Sequence, residues 1–87
     1  MVFHITYQAT PGSWKDAQQR FKETGAPPPA GVTMTGRWHS VQGHKGFIVV
    51  ESDDAEAIAK WMQGWTDLLS AEVTPVINDE QFARMLG

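Results

Sequence analysis

Between Gly46 and Glu51 the chain reads Gly-Phe-Ile-Val-Val-Glu, four consecutive apolar residues set between the turn-forming Gln42-Gly43-His44-Lys45 and the acidic Ser52-Asp53-Asp54. Four residues are too few for a buried helix, and the unalternating run reads as a short central strand. Such a strand needs cover on both faces. That requirement limits what the rest of the chain can become.

The flanking segments supply partners for it. Residues 2–8 alternate, with Phe3, Ile5 and Tyr7 on one face and His4, Thr6 and Gln8 on the other, which is a strand. Ala9-Thr10-Pro11-Gly12 is a turn. Ser13 then stands as an N-cap with Asp16 three residues on, a weak variant of the capping box. Trp14, Ala17 and Phe21 form a helical stripe that Gly25 ends. Pro27-Pro28-Pro29 makes a stiff connection. From Val32 to Ser40 the alternation returns. Strict period two places Val32, Met34, Gly36 and Trp38 on the core face, and Thr33, Thr35, Arg37 and His39 on the other.

Val41 to Lys45 is a hairpin loop whose length leaves the register open. A two- or four-residue loop puts Phe47 and Val49 on the Trp38 face, whereas a three-residue loop with a bulge puts Ile48 and Val50 there. Ser52 or Asp53 caps a second helix, in which Ile58, Trp61, Met62, Trp65 and Leu68 or Leu69 recur at three- and four-residue steps. Gly64 weakens that helix by roughly 1 kcal/mol relative to alanine. Glu72 to Ile77 reads as a last strand, confined to a sheet edge by Pro75. Asn78 or Asp79 caps a short terminal turn containing Phe82, Met85 and Leu86.

The order β-α-β-β-α-β predicts one α+β domain over residues 1–87 with a ferredoxin-like, four-stranded antiparallel sheet. Right-handed crossovers give strand order 4-1-3-2 with both helices on one face. The other face carries His4, Thr6, Gln8, Thr33, Thr35, Arg37 and His39 together with one apolar pair from the third strand. Covering that pair with a second copy is worth several kcal/mol at ~25 cal/mol per Å², so a homodimer through the helix-free face is expected. A chain of 87 residues buries only roughly 60–65% of its unfolded surface alone.

Composition narrows the partners. A net charge of −3 with mixed signs offers no footprint for nucleic acid. No apolar run approaches the ~20 residues that span a bilayer, and no basic leader precedes the first strand, so a soluble cytoplasmic protein is expected. There is no cysteine, hence no disulfide framework and no thiolate metal site.

Gly36-Arg37-Trp38-His39, Gly46-Phe47, Glu51, the pair Trp61 and Trp65 with Asp67, and Val73-Thr74-Pro75-Val76 together resemble a family of short bacterial proteins. That family is known only as a domain of unknown function, within the dimeric α/β-barrel superfamily, and the resemblance covers nearly the whole chain. It implies a dimeric barrel. The wider superfamily includes cofactor-free monooxygenases of aromatic polyketides, muconolactone-type isomerases and haem-handling enzymes, so it implies no single reaction.

Two sets of residues are candidates for chemistry. His39 and His4 share a sheet face in this reading about 10 Å apart, too far for a common metal, so neither a metal nor a cofactor is expected. His39, flanked by Arg37 and Trp38, and Tyr7 are the candidate proton carriers; His44 reads as a solvated loop residue and Asp67 as a surface acid. Tyr7, Trp38, Trp61 and Trp65 converge between sheet and helices, either as plain core or as walls around a gap left by Gly36 and facing Gly64. The second arrangement suits a flat apolar or aromatic ligand. The expectation is a homodimer that binds such a molecule, with a cofactor-independent monooxygenase or isomerase as the alternative.

Overall fold

A computed structural model describes residues 1–87. The elements follow in the order β1 (Val2–Ala9), α1 (Trp14–Thr24), β2 (Val32–His39), β3 (Lys45–Ser52), α2 (Ala55–Gln63), β4 (Leu69–Val76) and α3 (Asp79–Leu86). All four strands are antiparallel in one open sheet ordered β2-β3-β1-β4, which is 4-1-3-2 read from the other edge. The apolar run is therefore central, and Pro75 sits on an edge strand where a missing donor costs least. No helix is long and apolar enough to cross a membrane.

The local signals act mostly as chemistry dictates. Gly25 adopts the left-handed conformation after α1, φ 72°, and its N–H reaches the Phe21 carbonyl. Ser13 holds the N-cap position of α1 but makes no capping hydrogen bond; its hydroxyl accepts from Thr10 instead. The cap of α2 is Asp54, not Ser52 or Asp53, with its carboxylate accepting from Ala57 N–H at 3.0 Å. Ser52 is buried, and its hydroxyl donates to the Gly31 carbonyl at 2.6 Å, tying the end of β3 to the entry of β2.

Helix α2 is shorter than the apolar spacing suggests. It stops at Gln63, and Gly64 to Leu68 form turns, with Trp65 N–H bonding Met62 and Leu69 N–H bonding Trp65. In consequence β4 starts at Leu69, three residues before the expected Glu72. Gly64, with its low helix propensity, is where the ladder gives way.

Side chains directly opposite one another in register share a face. Phe3, Ile5, Ile48 and Val50 therefore point to one side, where Val32 and Ile58 complete the core. Ile5, Val50 and Ile58 are the fully enclosed side chains. Truncating Ile58 to alanine is expected to cost about 2–5 kcal/mol, as for other buried Ile positions. Phe47 and Val49 go to the opposite face with His4 and Thr6. The hairpin loop has four residues, Val41 to His44, closed by Ser40 N–H to the Lys45 carbonyl at 2.8 Å. Trp38 pairs with Phe47.

The C-terminus forms a two-turn helix rather than a single turn. Asn78 and Gln81 make a reciprocal capping box, each side chain bonded to the other's backbone N–H. No residue of α3 is buried, and Phe82, Met85 and Leu86 are at least half exposed. The helix projects from the body: the radius of gyration is 14.2 Å, against about 12 Å for a compact chain of this length.

Candidate functional site

Strand β2 does not keep strict alternation. Met34 pairs with Val50 but Gly36 pairs with Val49, so Thr35 is an extra residue and a β-bulge interrupts the ladder. Beyond the bulge every side chain changes face. Arg37 and His39 turn toward the helices, and Trp38 turns to the open face.

This overturns part of the expected site. Trp38 does not join Tyr7, Trp61 and Trp65; it is 53% exposed and stacks on Phe47, ring centroids 5.2 Å apart. Its indole folds over Gly36, so a Cβ at that position would strike the ring. The glycine accommodates Trp38 on the open face and leaves no void beneath α2. His4 also lies on the open face, 5.5 Å from the Phe47 ring, so the sheet separates it from His39. No three His, Cys, Asp or Glu side chains come together.

Gly46 does the positioning on the helix side. In register, Tyr7 on β1 and His39 on β2 both pair with Gly46 on β3, so all three stand in one row across the sheet. Two strand spacings separate the outer backbones by about 10 Å. Because Gly46 has no side chain, Tyr7 and His39 reach over it and the Tyr7 hydroxyl meets His39 Nδ1. Burial pushes the Tyr7 hydroxyl above its ordinary 10.0, with Arg37 partly opposing. Burial, then the Arg37 charge, holds the His39 imidazole below 6.5. At neutral pH the phenol is protonated and the imidazole neutral, so one hydrogen bond joins the Tyr7 hydroxyl and Nδ1 and the ring keeps one basic nitrogen.

Phe21 of α1 packs beside this pair. Its ring meets His39 edge-on at 5.2 Å, and the Arg37 guanidinium lies over it at 4.9 Å. Arg37 also donates to the carbonyls of Ala26 at 2.7 Å and Gly25 at 2.9 Å, the C-terminal end of α1. That is where the helix dipole favours a cation.

Between the sheet and the two helices lies a cavity of about 370 Å³. Twelve of its nineteen lining residues are hydrophobic, so the space is mainly apolar with a few polar groups. Trp61, Met62 and Trp65 from α2 and the following turn wall one side, and Ala17 and Phe21 from α1 another; Tyr7, Arg37 and His39 bring the polar atoms. Ala17 and Phe21 of the α1 stripe thus face a cavity rather than packed core, and no residue of α1 is buried. His44 is no solvated loop residue: it stacks on Trp14 at 4.7 Å, lines the cavity, and its Nδ1 is buried without a partner.

The outer end is clamped by Arg20. Its guanidinium grips the Asp67 carboxylate at 2.9 and 2.6 Å, donates to the Gly64 carbonyl at 3.2 Å, and lies 5.3 Å over the Trp65 ring. Asp67 is held below the usual carboxylate range by that hydrogen bond. It joins α1 to the turn after α2.

Of the residues singled out from sequence, Tyr7, His39, Trp61 and Trp65 lie around the cavity, and Gly36 and Trp38 do not. Sequence reading missed Arg37, Phe21 and Met62 as lining residues. Only the glycine inside a strand pattern hinted at the bulge that brings Arg37 in.

A family model described as a domain of unknown function (DUF3303) matches residues 1–87. Comparison with curated proteins returns no match.

Proposed function

We propose that the chain, which belongs to this family of unknown function, binds a small flat apolar or aromatic molecule between its sheet and helices. The observation that carries the reading is the cavity of about 370 Å³ with its aromatic walls. Its size falls within the range of small-molecule sites, roughly 300–1,000 Å³, and so does its balance of apolar surface and few convergent polar groups.

The protein acts as a homodimer of the dimeric α/β-barrel type. Support comes from the open sheet face, where Trp38 and Phe47 are 53% and 40% exposed as one stacked pair. Uncovered apolar residues on α3 add to it.

Native mass spectrometry of protein purified from its own host tests the binding reading. A retained small molecule is expected, and Ala17→Leu, which intrudes on the cavity, is expected to lose it. Protein free of any ligand, with no aromatic compound able to raise its melting temperature, would remove the reading.

The Tyr7–His39 hydrogen bond at the cavity favours a second reading, a cofactor-independent monooxygenase or isomerase on an aromatic substrate. In that case His39 accepts a substrate proton or Tyr7 donates one. Turnover that survives both His39→Ala and Tyr7→Phe would count against these carriers.

A further inference from the structure

We infer that the molecule held in this cavity is a flat ring system bearing one carboxylate, and that Arg37 receives it. The inference rests on the binding reading above and specifies the chemical class of the ligand.

Arg37 is the one permanent cation among the lining residues, and no Asp or Glu is among them. All four ion pairs of the chain use other residues. The partners that Arg37 does have, the Phe21 ring face and the carbonyls of Gly25 and Ala26, are neutral, and the carbonyls take two of its five N–H donors. While water fills the cavity, the remaining charge is solvated. A wholly apolar ligand would strip that water and leave a guanidinium without a counter-charge, which is costly in a low-dielectric site. A carboxylate removes the conflict, because its two oxygens match the planar fork of the guanidinium.

The neighbouring groups agree in sign. The His39 ring is neutral and the Tyr7 hydroxyl protonated, so neither puts a negative charge beside a bound anion. A phosphate dianion fits less well, since a single cation would leave half its charge unmatched. Phe21, Trp61 and Trp65 supply the apolar walls for the ring.

The test compares naphthoate with the near-isosteric, uncharged naphthamide by isothermal titration calorimetry against the full chain at neutral pH. Naphthoate is expected to bind at least about tenfold more tightly, the scale of one charge-assisted hydrogen-bonded pair. Arg37→Gln should bring the two ligands to near parity while the naphthamide affinity stays within about twofold, since only the charge-dependent term is removed. Arg37→Lys, which keeps the charge, should retain a preference for naphthoate. Should Arg37→Gln fail to fold by circular dichroism, the wild-type ratio and the lysine variant decide. Equal affinities in the wild type, or a preference that persists in Arg37→Gln, would overturn the carboxylate while leaving the cavity a binding site. Binding of neither compound would remove the binding reading and this inference together.

Discussion

Tyr7 and His39 meet across Gly46, the residue that stands between them in register on the central strand. A Cβ at that position would press on the Tyr7 ring and hydroxyl. A single hydrogen atom in place of a side chain thus links β1 to β2 above the sheet, at the edge of the cavity.

Gly46→Ala tests that relationship. The new Cβ would lie 2.6 Å from the Tyr7 hydroxyl oxygen and 2.8 Å from Cε1, with the Trp38 carbonyl also against it. Overpacking of this kind costs typically about 1–3 kcal/mol, readable as a lower urea midpoint. Tyr7 is the sole tyrosine, so its ultraviolet titration reports on this side chain alone. Its midpoint should move down toward 10.0 as the ring is displaced from its half-buried site. An unchanged midpoint in both measurements would show that the row tolerates a methyl group.

His39 gives the fold a pH dependence with a definite sign. Burial, then Arg37, holds its folded pKa below 6.5. As pH falls through 6.5 the unfolded chain takes up a proton at this site before the native chain does. The contribution is therefore fully present above 6.5, declines as pH falls toward the folded pKa, and levels off below it. Denaturant midpoints for wild type and His39→Gln, measured on both sides of 6.5, should diverge above that pH and converge below it. In a proton NMR titration, Arg37→Gln should raise the His39 midpoint, because a repelling charge is gone. A His39 midpoint at or above 6.5 would contradict the assignment.

Arg20 is expected to govern how firmly α1 closes the cavity. The helix has no buried residue, while Arg20 holds Asp67 through two bonds and Gly64 through a third. Both groups are partly in water, so Arg20→Met should change global stability only slightly. Local opening should respond more: amide hydrogen exchange in α1 should accelerate with little change in β1 and β3. Exchange in α1 that matches wild type would assign the attachment of the helix elsewhere.

The open face predicts the oligomeric state. Light scattering at micromolar concentration should report twice the chain mass of 9.7 kDa. Phe47→Glu or Trp38→Glu, each placing a charge in the stacked pair, should return the protein to the monomer, since an unpaired charge in a buried interface is strongly disfavoured. A wild-type monomer at that concentration would remove the dimer.

Local chemistry written in the chain decided the element order and the strand order. The apolar Phe47–Val50 run had to be central, Pro75 had to lie at an edge, and Gly25 and Asn78 mark helix ends by their own conformational and capping preferences. The identity of the cavity's polar lining came from tertiary structure. Beyond Met34, Arg37 and His39 on one side and Gly36 and Trp38 on the other make an alternation that fits either face, so period two carries no information about which is inward. The pairing of β2 with β3 resolves it by inserting Thr35, and one inserted residue reverses every side chain after it. Likewise, apolar spacing runs through Gly64 to Leu68, but the helix ends at Gln63 and the following residues turn back to meet Arg20. Strand pairing and helix docking are decided by residues far apart in the chain, and a local pattern cannot record which of its two faces a distant partner will cover.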